Sequence, residues 1–322
     1  MLRESRYYMF AMTRPLDHLP QEIVMALLEK IAPGSTLVCV ELLPGSFSNH
    51  THVVEASLPN GELLICVVRR YQIFGDYDRG EKARREFKAF ELMNRSGIPS
   101  PEPLLLDDTG ELLGVPGIVT RFVEGELLLE APADPLPWAR KLAVMLARIH
   151  AIPCDEEARS FLLDANAEAS WFLKAEAAPE YMQAFPDGAE VWATLKDLFP
   201  SMKPVPPALV HIDYWSGNIL WKEGEISAVL DWEEAACGDP TIDVAYARQE
   251  MFLLGLPEAA EEFLHAYEAE SGRKAENLGL WELAAAVRPM VDPVEWEVEG
   301  EPGRKRLLDF IEGARKMTII IK

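Results

Sequence analysis

The sequence is short of positive charge. It has 31 Lys and Arg against 53 Asp and Glu, a formal net charge of −22. A field of that sign repels phosphodiesters and anionic lipid at a distance, so no nucleic acid and no membrane surface is expected as a partner. Any phosphate handled here needs a local device. Long apolar runs are absent as well: 49% of residues are hydrophobic, but none of the runs nears the roughly 20 residues of a bilayer span. The first ten residues, MLRESRYYMF, carry charge where a secretory leader keeps an apolar core, and a cytoplasmic location is the expectation. Cys39, Cys66, Cys154 and Cys237 form no CxxC pair, and the chain has only six His. Reduced, buried thiols are expected, and neither a disulfide framework nor a His-rich metal cluster. Repeats and low-complexity tracts are also missing.

What is present divides into two textures. Residues 38–70 read as strands: VCVELL, THVVEASL and ELLICVVRR are rich in branched aliphatics, and Asn60-Gly61 between the last two favours a tight hairpin turn. The loop PGSFSNH between the first two is of small and polar residues, a type that can point backbone N–H groups at an anion. Helical spacing then takes over at about 79–94, with Ala83, Phe87 and Phe90 on one face and Gly97 and Pro99 behind. Strand signals return at PLLLDD and GIVTRFVEG. After APADPLP the pattern becomes mostly helical, beginning with Trp138, Leu142, Met145, Leu146 and Ile149. A strand-rich lobe over 1–123 and a larger helical lobe over 124–322 are expected, with a hinge near 122–130.

The chemistry is concentrated in HIDYWSGN at 211–218 and in DWEEAACGDPTID at 231–243. Two short apolar runs around KEGE separate them and predict a hairpin, which brings Asn218 and Asp231 together. An amide oxygen and a carboxylate so placed are hard ligands suited to Mg²⁺. Asp213, five residues before Asn218, is then free to accept a proton from a hydroxyl. A carboxylate that orients a nucleophile, beside an Asn/Asp pair that holds metal, is the equipment of kinase-type phosphoryl transfer. His211 is expected to play a structural part, and Asp239 before Pro240 resembles a helix cap.

With these motifs on one chain, the sequence resembles the aminoglycoside phosphotransferase family, relatives of choline and homoserine kinases with a protein-kinase-like fold. HIDYWSGNILW, ISAVLDWEEAACGDPTIDVA, LPGSFSNHTHVV, LLICVVRR and RREFKAFELM carry the resemblance. It implies an α+β bilobal fold, with a small antiparallel sheet and one main helix in the first lobe and a mostly helical second lobe. It implies Asp213 as catalytic base, Asn218 and Asp231 as Mg²⁺ ligands, and Asp239 and Asp243 as supports of the catalytic loop. ATP is expected between the lobes, on the loop of Gly45, Ser46, Phe47 and Asn49 and on backbone groups of Phe122 and Val123. Arg69 or Arg70 stands where the family usually has lysine. The strand's period of two lets only one face the nucleotide, and Arg69 is favoured, with Glu86 as its acidic partner and Glu81 as the alternative.

The partner implied is a small-molecule hydroxyl acceptor: an aminoglycoside, a choline-like compound or another amino or sugar alcohol. Trp215, Trp232, Glu233, Glu234 and Trp171 are the candidate walls of its pocket, and the two glutamates lean the expectation towards an amine. Arginine at the lysine position keeps a second reading open, a kinase-shaped nucleotide sensor with weak or no transfer. A metal-dependent hydrolase is the third, disfavoured by the scarcity of His.

Overall fold

The computed structural model of the chain describes residues 16–43, 49–71 and 78–319. The chain forms two compact units, Met1–Gly125 with Ser227–Glu233, and Glu126–Ile226 with Glu234–Lys322. Residues 227–233 thus belong with the first unit.

The first unit is a five-stranded antiparallel sheet of β1 (Thr36–Leu42), β2 (Asn49–Ser57), β3 (Leu63–Tyr71), β4 (Pro103–Asp107) and β5 (Gly117–Arg121), in the order β1-β2-β3-β5-β4. Its helices are α1 (Gln21–Ile31) and α2 (Arg79–Arg95). β2 and β3 pair from Asn49 opposite Tyr71 to Ser57 opposite Leu63. Their turn closes with the Gly61 N–H on the Leu58 carbonyl, and Gly61 takes φ +84°. That is a left-handed conformation that glycine adopts without a Cβ penalty. Alternation sends Val54, Ala56, Cys66 and Val68 to one face, where they form a core with Val24, Leu27 and Leu28 of α1. Each buried Val or Leu of this set contributes about 1.5–3 kcal/mol. Arg69, one residue out of phase with Val68, faces the other way.

Asp78 starts α2, its carboxylate accepting from the N–H groups of Gly80 and Glu81. The buried face of α2 runs through Ala83, Glu86, Ala89, Phe90 and Met93, and Phe87 is only half-buried. The expected Phe87 position is therefore taken by a carboxylate, because Glu86 has cationic and hydroxyl partners waiting inside.

The second unit begins with β6 (Glu126–Leu127), α3 (Pro135–His150), α4 (Glu156–Arg159), β7 (Leu163–Asp164), α5 (Ala165–Ala169), α6 (Glu180–Ala184) and α7 (Gly188–Leu198). It continues through β8 (Ala208–Val210), β9 (Ile219–Lys222), the start of β10 (Glu225–Val229) and β11 (Ala236–Gly238). The chain then closes with α8 (Thr241–Leu253), α9 (Pro257–Ser271), α10 (Leu278–Ala285), α11 (Val287–Val291) and α12 (Gly303–Ile319). Trp138, Leu142, Met145, Leu146 and Ile149 of α3 are all buried, and α3 packs along α9 while α8 lies against α9, α10 and α12. β11 runs between β7 and β8. No helix among the described residues is long and apolar enough to cross a membrane.

Candidate active site

In the second unit, β8 delivers the chain into the loop 211–218 and β9 carries it away. The loop is not relaxed. Ile212 sits at φ +72°, a conformation that costs a β-branched residue on the order of 1–3 kcal/mol. Asp243, fully buried on the first turn of α8, holds it there: its Oδ2 accepts from the His211 N–H at 2.7 Å and its Oδ1 from the Ile212 N–H at 2.8 Å. His150 Nε2 lies 3.1 Å from the same carboxylate, and its Nδ1 is 2.8 Å from the Tyr267 hydroxyl. His211 is fully buried and its Nδ1 accepts the Asp213 N–H at 3.3 Å. The clamp thus fixes the backbone on either side of Asp213.

The Asp213 side chain is aimed by two donors. Asn218 Nδ2 donates to Oδ2 at 2.9 Å and to the Asp213 carbonyl at 2.8 Å, while Arg288 Nη2 donates to Oδ1 at 2.8 Å. Spending its amide nitrogen on Asp213 turns the Asn218 oxygen away from that carboxylate. Between them, Ser216 gives its N–H and hydroxyl to Glu250 of α8. Burial pushes the Glu250 carboxyl up to about 7, against the pull of those two hydrogen bonds. At Gly217 the chain passes so close under the Trp215 ring that a Cβ would lie 2.3 Å from it. Asp239 accepts from Trp281 Nε1 at 2.7 Å and from the Thr241 N–H at 2.9 Å, tying the start of α8 to α10.

In the first unit, Arg69 meets three carboxylates. Its Nη1 donates to Glu86 at 2.9 Å, and its Nη2 to Asp231 at 2.7 Å and Glu233 at 3.1 Å. Glu233 also takes Lys82 Nζ at 2.5 Å and Asn49 Nδ2 at 2.7 Å. Glu86 is fully buried and accepts the Tyr71 hydroxyl. Burial raises its carboxyl to about 7 although Arg69 opposes the rise. Glu233 is burdened by burial too, but Lys82 and Arg69 outweigh it and bring its carboxyl down to about 2. Arg70 points to the opposite face and donates to the carbonyls of Leu16 and His18. Glu81, the alternative acid, is exposed at the head of α2.

The expected site residues thus fall into two groups: Arg69, Glu86, Asn49 and Asp231 in the first unit, Asp213 and Asn218 in the second. Gly45, Ser46 and Phe47 lie outside the described residues. The Phe122 N–H donates to the Ile65 carbonyl. Two expected acceptor walls are spent elsewhere. Trp232 is fully buried, with its Nε1 on the Val229 carbonyl, and Glu233 belongs to the Arg69 network. Trp215 stays 37% exposed. Sequence reasoning passed over Arg288, Glu250 and Lys82. Arg288 lies 75 residues beyond Asp213, without a local pattern to flag it. Lys82 was legible, since it precedes Glu86 by one helical turn on the same face.

Comparison with known proteins covers most of the chain. Residues 45–278 match the profile of APH, the phosphotransferase enzyme family. Viomycin phosphotransferase of Streptomyces vinaceus is 26% identical over 231 residues, 68% of this chain and 76% of that protein. Acyl-CoA dehydrogenase family member 10 of Mus musculus is 27% identical over 176 residues, 51% of this chain. The match spans only 16% of that relative's length. A thermostable mutant aminoglycoside phosphotransferase, solved with AMP-PNP and hygromycin B, superposes with a TM-score of 0.61 at 17% identity, covering 91% of this chain and 98% of that one. The protein-kinase-like fold is common to both. With the family profile matched over most of its length, the chain belongs to the phosphotransferase enzyme family.

Proposed function

We propose that the chain moves the γ-phosphoryl group of ATP, with Mg²⁺, to a hydroxyl of a small molecule, and that Asp213 is the base. The observation that carries this reading is the double constraint on Asp213, its backbone pinned through Asp243 and its carboxylate aimed by Asn218 and Arg288. Holding a base where the acceptor hydroxyl will arrive is part of the positioning on which a reaction of this class depends.

The residues also suit the metal. The Asn218 amide spends its N–H donors on Asp213, so its remaining ligand atom is an oxygen, and Asp231 supplies a carboxylate. Both are hard donors of the kind Mg²⁺ takes. Asn218 and Asp231 belong to different units, and their joint use is part of the proposal. A bound Mg²⁺ supplies charge neutralisation on the transferring phosphates. Arg69, paired with Glu86, is the group proposed to hold the phosphates nearer the base moiety. Asn49, the first residue of β2, is proposed to lie beside the nucleotide, and the Phe122 and Val123 backbone is proposed to meet the adenine. Nucleotide complexes of fold relatives support ATP as donor.

Asp213→Ala is expected to lower acceptor-dependent ADP release by on the order of a hundred-fold or more while ATP affinity, measured by calorimetry, stays within a few-fold. Near-normal turnover in that variant removes the base. One observation favours the sensor reading: Arg69 is already bonded to Asp231, so the phosphate grip and the metal ligand engage each other. ATP binding without transfer to any of a broad alcohol panel would favour it.

A further inference from the structure

We propose that the acceptor is a hydroxy compound bearing an acidic group, and that Arg288 receives that group. The inference rests on the phosphotransfer reading with Asp213 as base. Both oxygens of Asp213 are engaged, Oδ2 with Asn218 and Oδ1 with Arg288. A hydroxyl that reaches this carboxylate therefore arrives beside the guanidinium, and whatever the acceptor carries next to that hydroxyl meets Arg288.

A guanidinium has five N–H donors and no acceptor. Among the described residues, Asp213 is the hydrogen-bond partner of Arg288, and the side chain is 28% exposed. The rings of Tyr246 and Trp296 stand 4.7 and 5.5 Å from its central carbon, which limits its rotamers and leaves its donor edge oriented. Burial opposes its charge, but Asp213 and the nearby Tyr246 and Glu234 hold its pKa above the ordinary value, so the charge is permanent. Donors fixed in place want oxygens. A carboxylate or phosphate matches the fork with two parallel hydrogen bonds, whereas an ammonium offers donors to donors. The lean towards an amine rested on Glu233 and Glu234, and Glu233 is committed to Lys82 and Arg69 in the first unit. An amine drawn by Glu234 is the rival.

The test uses acceptors matched in carbon chain and differing in charge: glycerate, glycerol and serinol, then gluconate, sorbitol and glucamine. ADP release is followed with ATP and Mg²⁺, and thermal shift with ADP. The acid of each trio is expected to be preferred in kcat/KM by about ten-fold or more, and R288Q to lose the preference through KM, with R288K restoring part of it. In D213N turnover falls, yet gluconate still shifts the melting temperature more than sorbitol does. Equal or better response to the polyol or amino compound overturns the proposal, as does no response to either acid. A fall of all three members alike in R288Q also overturns it, since Arg288 then acts only through Asp213. An ATP-dependent thermal shift with slow ADP release to water, persisting while the acids do nothing, sinks the acceptor proposal alone. Loss of both in the wild-type protein sinks the phosphotransfer reading beneath it.

Discussion

Arg69 shows how one atom group decides whether a substitution is conservative. Two of its nitrogens serve three carboxylates, and one of these, Glu86, is fully buried. Lysine, which the family resemblance leads one to expect here, brings one ammonium on a flexible stem and cannot reproduce the fork. R69K is therefore expected to destabilise the protein by about 1–3 kcal/mol in urea titration, and R69M by about 3–5, because the second leaves a buried acid without its cation. ATP affinity should fall in both. An R69K protein as stable as the parent would show that the triple pairing carries no weight. Asp243 is the second case. Its two oxygens each take a backbone N–H across the strained Ile212, and an amide there offers one acceptor and one donor. D243N should cost about 2–3 kcal/mol and lower kcat more than it raises KM, since Asp213 loses its fixed position. A change confined to KM would place Asp243 outside that clamp.

Among the elements, α8 couples the loop to titration. Glu250 lies on it and holds Ser216, with burial lifting its carboxyl from the ordinary 4.5 to about 7. Between those values the native state binds the proton that the unfolded chain has released, so stability is full below about pH 4.5 and falls as pH rises through about 7. E250Q cannot titrate, so its loss of melting temperature between about pH 4.5 and 7 should be smaller than the parent's. Identical slopes would exclude Glu250 as the source. α8 also marks what the sequence could and could not disclose. Strands β1 to β3 were legible from their runs of branched aliphatics, and the β2–β3 turn from Asn-Gly, because both signals are local. α1 carries Val24, Leu27 and Leu28 at helical spacing, a pattern present but passed over beside the stronger strand signals. Placing Phe87 inside α2 failed because periodicity counts apolar residues, and the buried position belongs to Glu86, whose partners Arg69 and Tyr71 lie on a strand. In the loop, Asp213 and Asn218 were legible from spacing. Arg288 was not, because only tertiary packing brings α11 beside the loop.

At the scale of the whole molecule, the chain visits the first unit twice. Residues 227–233 return to it after the second unit has begun, and they bring more than the proposed metal ligand. The Val229 N–H donates to the Pro99 carbonyl, Arg85 donates to the Glu233 carbonyl, and Trp232 is fully buried. A fragment ending at Gly125 lacks all of them. Lys82 then loses Glu233, Arg69 keeps only Glu86 of its three acids, and the space filled by an indole is left open. A large buried aromatic is worth about 3–5 kcal/mol when truncated to alanine, a sizeable part of the 5–15 kcal/mol that holds a typical domain. The fragment is expected to melt without a cooperative transition in circular dichroism. Rejoining 227–233 after Gly125 through a flexible linker should restore the transition, and substituting alanine for the tryptophan in that rejoined chain should weaken it again. A fragment ending at Gly125 that melts as sharply as the rejoined chain would mean that the seven residues are passengers. Arg69 would then need no return of the chain to be held in place.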